Sequence, residues 1–175
     1  MTDSHYRWWW LLLPLGWMAA IFVFSSDWFA WRNTAPLARG WLAWWMPNLD
    51  QTTVETFHLV IRKLGHVTEY ALLALLWHVA LRRVSRWTPW QASLGAVGIS
   101  IGYAGFDEWR QTFTAERSGS LTDVGLDSLG VLLAAAGIAA LYLARALRDR
   151  LARSARAYHR RRRHRPRYSY AARSE

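Results

Sequence analysis

Residues 124–143, VGLDSLGVLLAAAGIAALYL, form a 20-residue stretch that is almost entirely apolar and contains one charged residue, Asp127. A helix needs about 20 mainly apolar residues to cross the hydrocarbon core of a bilayer. In a soluble four-helix bundle each helix would also carry a polar face that repeats along its length, and this stretch has none. The stretch therefore predicts a membrane-spanning helix.

Three earlier stretches have a similar length and composition. The chain contains 13 Trp residues, and Trp favours the membrane–water interface. It contains no cysteine, which excludes a disulfide framework and thiolate chemistry. We predict an all-α fold, a polytopic membrane bundle of four transmembrane helices. The three earlier helices are Trp8–Phe24, Leu64–Leu81 and Ala92–Trp109.

Basic residues are concentrated where they can set the orientation of the bundle. Arg82, Arg83 and Arg86 lie in the link between the second and third predicted helices, and a run of arginines follows the fourth. Basic residues near helix ends stay on the cytoplasmic side of a membrane. Four spans place this link, the arginine run and Arg7 on one side, so we predict that both termini are cytoplasmic.

The remaining segments flank the predicted helices. Residues 37–46, LARGWLAWWM, predict a short interfacial helix in the outward link. Residues 151–175 predict a disordered basic tail after a membrane domain of residues 1–150. The segment from Arg145 to Glu175, with its arginines and two acids, carries the whole net charge of +10. We expect this tail to contact anionic lipid headgroups and expect no nucleic-acid partner.

Ionisable residues lie near one end of three predicted helices, although charge is costly inside a bilayer. The predicted topology places all of them at the outer membrane boundary. We therefore expect them to form one polar site. On the second helix they are Arg62, Lys63, His66 and Tyr70, at the end of the third Asp107 and Glu108, and at the start of the fourth Asp123 and Asp127.

Several motifs in this order resemble the VanZ-like family of bacterial membrane proteins. They are RKLGHVTEYALLALL (62–76), DEWRQTF (107–113) and ERSGSLTDVGLDSLGVLL (116–133), with FSS at 24–26. Two positions depart from the family pattern, because Arg110 replaces a frequent His and Ala115-Glu116 replaces a frequent Pro-Gly. The matching residues are Arg62, Lys63, His66, Tyr70, Asp107, Glu108, Gln111, Arg117, Asp123 and Asp127.

The resemblance implies a protein of the bacterial cytoplasmic membrane that is linked to the cell envelope. For its founding member the family's known consequence is low-level resistance to the glycopeptide teicoplanin. The ten matching residues are then candidates for a ligand-binding site. No cofactor and no metal are expected, because the motifs contain a single His and no paired metal-ligand spacing.

Three interpretations of the polar residues stay open. The preferred one is a non-enzymatic site where Arg62, Lys63 and Arg117 hold a lipid-linked or glycopeptide-like anionic ligand, or a partner. The second is a small membrane enzyme acting on an envelope or lipid substrate, and the third is a purely structural network. If the site is functional, amide substitutions should abolish activity without lowering membrane abundance. The candidate catalytic residues of the second interpretation are His66, Asp107, Glu108 and Asp123.

Overall fold

The computed structural model describes residues 5–26, 28, 34, 36, 37, 39–41, 44, 50–114 and 119–163. The described residues form helices, with no strand among them. A 3-10 helix, His5–Leu11, leads directly into the first α-helix. The α-helices are α1, Leu12–Phe24, α2, Gln51–Val84, α3, Pro89–Gln111, and α4, Leu121–Arg163. The all-α prediction is confirmed.

Local capping sets the starts of α2 and α3. The Asp50 carboxylate accepts hydrogen bonds from Thr53, and these bonds lower the pKa of the Asp50 carboxyl group. Thr88 and Gln91 form a reciprocal capping box at the start of α3, where Pro89 takes the first helical position. Pro suits that position because its missing N–H has no partner in the first turn of a helix.

Helix α2 is longer than the sequence predicted. It begins at Gln51 rather than Leu64, so residues 51–63, which were predicted to belong to the outward link, are helical. The prediction was wrong because residues 51–63 are too polar to show a spanning pattern, although Asp50 caps them as a helix. Arg62 and Lys63 therefore lie inside α2 and not at its start.

The core of the molecule lies between these helices. Tyr70 and Leu73 of α2 are fully buried, as are Ala104 of α3 and Val131 of α4. Ile21 of α1 belongs to the same cluster. A Cβ atom at Gly130 would lie 2.1 Å from the carbonyl oxygen of Val67, so α4 packs directly on the α2 backbone. The approach of the two helices depends on glycine at this position.

The described residues contain three helices that are long and apolar enough to cross a membrane. They comprise Arg7–Phe24, Gln51–Val84 and Leu121–Arg156. Helix α3, which matches the predicted span Ala92–Trp109, is not among them. It is rich in glycine and other small or weakly apolar residues, which lowers its hydropathy. The structure supports a membrane bundle with three candidate spans rather than the four predicted.

The chain divides into two compact units, Met1–Gly137 and Ile138–Glu175. The second unit contains the end of α4, which stays helical to Arg163. The prediction of a disordered tail is therefore wrong for residues 151–163, and residues 164–175 lie outside the described part of the chain. Alanine and leucine between the arginines favour the helix.

Half of the predicted interfacial helix, residues 37–46, lies outside the described residues. Those of its residues that the structure describes are Leu37, Arg39, Gly40, Trp41 and Trp44, and all of them are helical and exposed.

Candidate functional site

A histidine of α2 and an aspartate of α4 meet inside the first unit. His66 Nδ1 lies 3.3 Å from Asp127 Oδ1, and the Asp127 side chain is only 1% exposed. The two helices can come this close because Gly130, one turn beyond Asp127, has no side chain. Since Nδ1 faces Asp127, Nε2 is the ring nitrogen that His66 can offer to a ligand.

A cavity of about 130 Å³ adjoins this pair. Its lining combines two cations, a histidine, an acid and two leucines. Arg62, His66 and Asp123 are half-buried and Lys63 is exposed, so the cavity is open to small polar groups. The lining residues are Leu59, Arg62, Lys63, His66, Asp123 and Leu126.

Three charged side chains of this cavity lack close partners among the described residues. Within the described part of the chain, no ion pair or hydrogen bond joins the side chain of Arg62, Lys63 or Asp123 to another residue. Cations that lie in a cavity without a carboxylate partner are available to an anionic group. Arg62 can hold such a group through two parallel N–H donors, whereas Lys63 supplies a compact point charge.

Three of the predicted site residues have buried polar atoms that lack hydrogen-bond partners among the described residues. These atoms are the Tyr70 hydroxyl, His66 Nδ1 and both carboxylate oxygens of Asp127. A buried carboxylate without hydrogen bonds is costly. The His66 ring, 3.3 Å away, can form an ion pair with this carboxylate when the ring is protonated.

A larger groove opens on the other side of Arg62 and His66. It has a volume of about 390 Å³ and lies between the end of α1 and helix α2. Phe24, Ile61 and Gly65 give it an apolar wall, and Arg62 and His66 line it as well as the smaller cavity. The two cations and His66 thus lie beside a surface that can accept an apolar chain.

Asp107 belongs to a separate hydrogen-bonded cluster at the end of α1. The Ser25 hydroxyl donates to Asp107 Oδ1 at 2.6 Å, and Gln111 Nε2 donates to Oδ2 at 3.0 Å. Arg110 Nη2 donates to Asp107 Oδ1 at 3.1 Å and to the Ser25 carbonyl oxygen at 3.1 Å. These contacts satisfy the buried carboxylate and join α1 to α3.

Glu108 has a comparable role at the start of α4. Its Oε2 accepts a hydrogen bond of 2.8 Å from the Ser120 backbone N–H, and its Oε1 accepts one of 3.3 Å from Gln111. A carboxylate near the first backbone N–H groups of a helix stabilises the helix start. Glu108 therefore holds Ser120, the residue directly before α4, near the end of α3.

The nine predicted site residues that the structure describes fall into two groups at the same end of the helices. Arg62, Lys63, His66, Asp123 and Asp127 form or adjoin the cavity, and Tyr70 is buried one turn beyond His66. Asp107, Glu108 and Gln111 form the hydrogen-bonded cluster. Arg117 lies outside the described residues.

Three members of the hydrogen-bonded cluster are not among the ten predicted site residues. They are Ser25, Arg110 and Ser120. The signal for Ser25 was its position directly after an apolar span, where a polar residue needs a partner. Arg110 stood out only as a departure from the family pattern, and its guanidinium group occupies the space between α1 and α3.

Among the described residues, no group of three or more His, Asp or Glu side chains lies close enough to hold a metal ion.

The helices and the buried polar residues define a small α-helical membrane protein with a charged cavity at one end of its bundle. The model of the VanZ/LLP1 family matches residues 8–144, which is most of the chain, and the protein belongs to this family. The match covers both polar groups and ends before the arginine-rich part of α4. No match was found among curated proteins or solved structures.

Proposed function

We propose that this protein binds an anionic lipid-linked or glycopeptide-like ligand of the bacterial cell envelope in the cavity of Arg62 and Lys63. The observation that carries the proposal is that both cations line one cavity and neither has an ion-pair partner among the described residues. Structural ion pairs are closed by contacts such as those of Asp107 with Arg110. Open cations are the expected arrangement for a site that receives its anion from outside.

The proposed orientation places this cavity at the outer face of the bacterial cytoplasmic membrane. Arg7 Nε donates to the Arg83 carbonyl oxygen at 2.9 Å, and the Arg83 guanidinium group lies over the Trp10 ring. The start of the chain and the end of α2 therefore share one basic end. Lys63 lies about 30 Å from Arg83 along α2, which is one hydrocarbon thickness. Arginines mark the cytoplasmic side, so the cavity faces outward.

Four spans, with α3 as the third, complete this topology. Helix α3 is 23 residues long, which corresponds to about 34 Å, enough to cross the bilayer. Its buried residues Ala92, Ala96 and Ala104 face the core. Reporter fusions at both termini test the count. Cytoplasmic signals at both ends support it, and opposite locations contradict it.

A binding experiment tests the anion site itself. The purified protein is titrated with dioctanoyl phosphatidic acid, whose head group is a phosphate. We expect Arg62→Met or Lys63→Met to weaken binding about 10-fold or more, because a hydrogen bond to a charged group contributes about 1.5–3 kcal/mol. Arg86→Met at the basic end is the control and should bind like the wild type. Equal binding by all four proteins would contradict the proposal.

The proposed link to glycopeptides follows from the same site. Binding of a lipid-linked precursor or of the drug would change the access of the drug to its target. Expression in a susceptible bacterium should then raise the inhibitory concentration of teicoplanin, and the Arg62→Met variant should not. If the wild type and the Arg62→Met variant raise the inhibitory concentration equally, the resistance does not depend on this cavity.

A further inference from the structure

The cavity contains an acid that a site for anion binding alone does not need. Asp123 lines it together with Arg62 and Lys63. A carboxylate beside a bound anion weakens binding through like-charge repulsion. The Asp123 side chain makes no ion pair or hydrogen bond with another described residue. A carboxylate that lines the same cavity as two cations can take a proton from a water molecule beside the bound anion.

His66 supplies the complementary group. Its Nδ1 lies 3.3 Å from the buried Asp127 carboxylate, an arrangement that fixes the ring and stabilises its protonated form. The protonated ring carries its second proton on Nε2, on the side away from Asp127. An imidazolium and a carboxylate that line one cavity are a general acid and a general base on either side of a bound group.

We propose that the site hydrolyses the phosphate monoester of a membrane lipid. This inference rests on the anion site proposed above and adds a reaction to it. Arg62 and Lys63 hold the phosphate oxygens and neutralise the charge that builds up on them. Leu59 and Leu126 of the cavity, and Phe24 and Ile61 of the adjoining groove, offer the apolar surface that a lipid chain needs.

The reaction is a single displacement that consumes one water molecule. Asp123 takes a proton from the water as its oxygen forms a bond to phosphorus. The bond between phosphorus and the lipid oxygen breaks, and its electron pair goes to that oxygen. His66 Nε2 gives its proton to the same oxygen, which leaves as the lipid alcohol, and inorganic phosphate remains. The proton on Asp123 returns to His66 through solvent, which restores both groups.

Three residues then have distinct roles. His66 and Asp123 are catalytic residues because both face the substrate. Asp127 is a positioning residue that acts through His66. An isosteric Asp127→Asn variant should therefore lower kcat and leave KM within about twofold.

The test measures phosphate release from dioctanoyl phosphatidic acid by the purified full chain. We expect release by the wild-type protein and at least a 100-fold lower rate for His66→Gln and for Asp123→Asn, in the range usual for acid–base groups. Both variants should still bind the lipid. Asp149→Asn, an exposed acid-to-amide change in the second unit, is the control and should keep the full rate. Purification of the variants in parallel excludes a contaminating phosphatase.

The outcomes separate this inference from the proposed function. Binding that depends on Arg62 and Lys63 without any phosphate release overturns the hydrolysis and leaves the binding site. If the wild-type protein does not bind the lipid, both the proposed binding site and the hydrolysis are overturned. Glycerol 1-phosphate carries the same ester without the chains, and equal kcat/KM for it would overturn the assignment to a lipid. If the His66→Gln variant unfolds, the Asp123→Asn variant gives the same test of hydrolysis, because Asp123 is only half-buried.

Discussion

Asp107 and Asp123 show that two acids of one predicted site can have different surroundings. Asp107 accepts hydrogen bonds from Ser25, Arg110 and Gln111 and is almost fully buried. Asp123 lines a cavity and has no such contacts among the described residues. The sequence placed both acids at one boundary but could not separate them, since the difference depends on where Ser25 and Arg110 lie in three dimensions.

This difference changes the expected effect of Asp107→Asn. The sequence predicted lost activity with normal abundance, whereas the structure predicts lost stability. Asparagine cannot accept all the hydrogen bonds of the carboxylate and leaves Arg110 without its ion pair. We expect a loss of about 2 kcal/mol or more in the free energy of unfolding, measured by thermal unfolding in detergent and by membrane abundance.

Glu55→Gln is the matched control for this prediction. Glu55 pairs with Arg39 at 3.7 Å, and both side chains are about half exposed. An exposed ion pair of this kind contributes about 0–1 kcal/mol. Equal stability of the Asp107→Asn and Glu55→Gln variants would show that the Asp107 cluster does not hold α1 and α3 together.

At the scale of the helices, apolar patterning predicted where helices exist better than where they end. The four predicted segments all fall within observed helices. The extensions at Gln51 and Arg163 have polar or basic sequences, so their helical state depends on caps and on helix propensity rather than on hydropathy. The contact of α2 with α4 depends on Gly130. The motif at residues 116–133 contains this glycine, but the motif does not indicate which residue of another helix the glycine meets.

The contact between α2 and α4 makes a prediction at this scale. Gly130→Ala places a methyl group 2.1 Å from the Val67 carbonyl oxygen, so the helices must move apart. We expect a loss of about 1–3 kcal/mol and a separation of His66 from Asp127. Thermal unfolding in detergent measures the first effect, and ligand binding reports the second.

Gly125→Ala is the control on the same helix. A Cβ atom there meets no atom within 4 Å, so the variant should be as stable as the wild type. If the two alanine variants have the same stability, α4 does not pack on α2 as described.

For the molecule as a whole, the apolar stretches predicted the class of protein and the segregation of charge predicted its orientation. Arginines lie toward one end of α2, and the acids, His66 and Lys63 lie about one bilayer thickness away. Charge placement and helix length predict that these groups share a boundary. They do not predict the pairing of His66 with Asp127, because a register between two helices depends on packing contacts that no spacing along the chain records.

The proposed site exists only if α2 meets α4 at His66 and Asp127, and a cysteine pair can measure this contact. The chain has no cysteine of its own, so His66→Cys with Asp127→Cys gives one defined pair in the membrane. A short thiol-bridging reagent such as dibromobimane should join these two residues within one chain. The control pair, His78→Cys with Asp127→Cys, lies about 18 Å further along α2 and should not be joined. If the first pair does not bridge, or if both pairs bridge equally, α2 and α4 do not meet at His66 and Asp127.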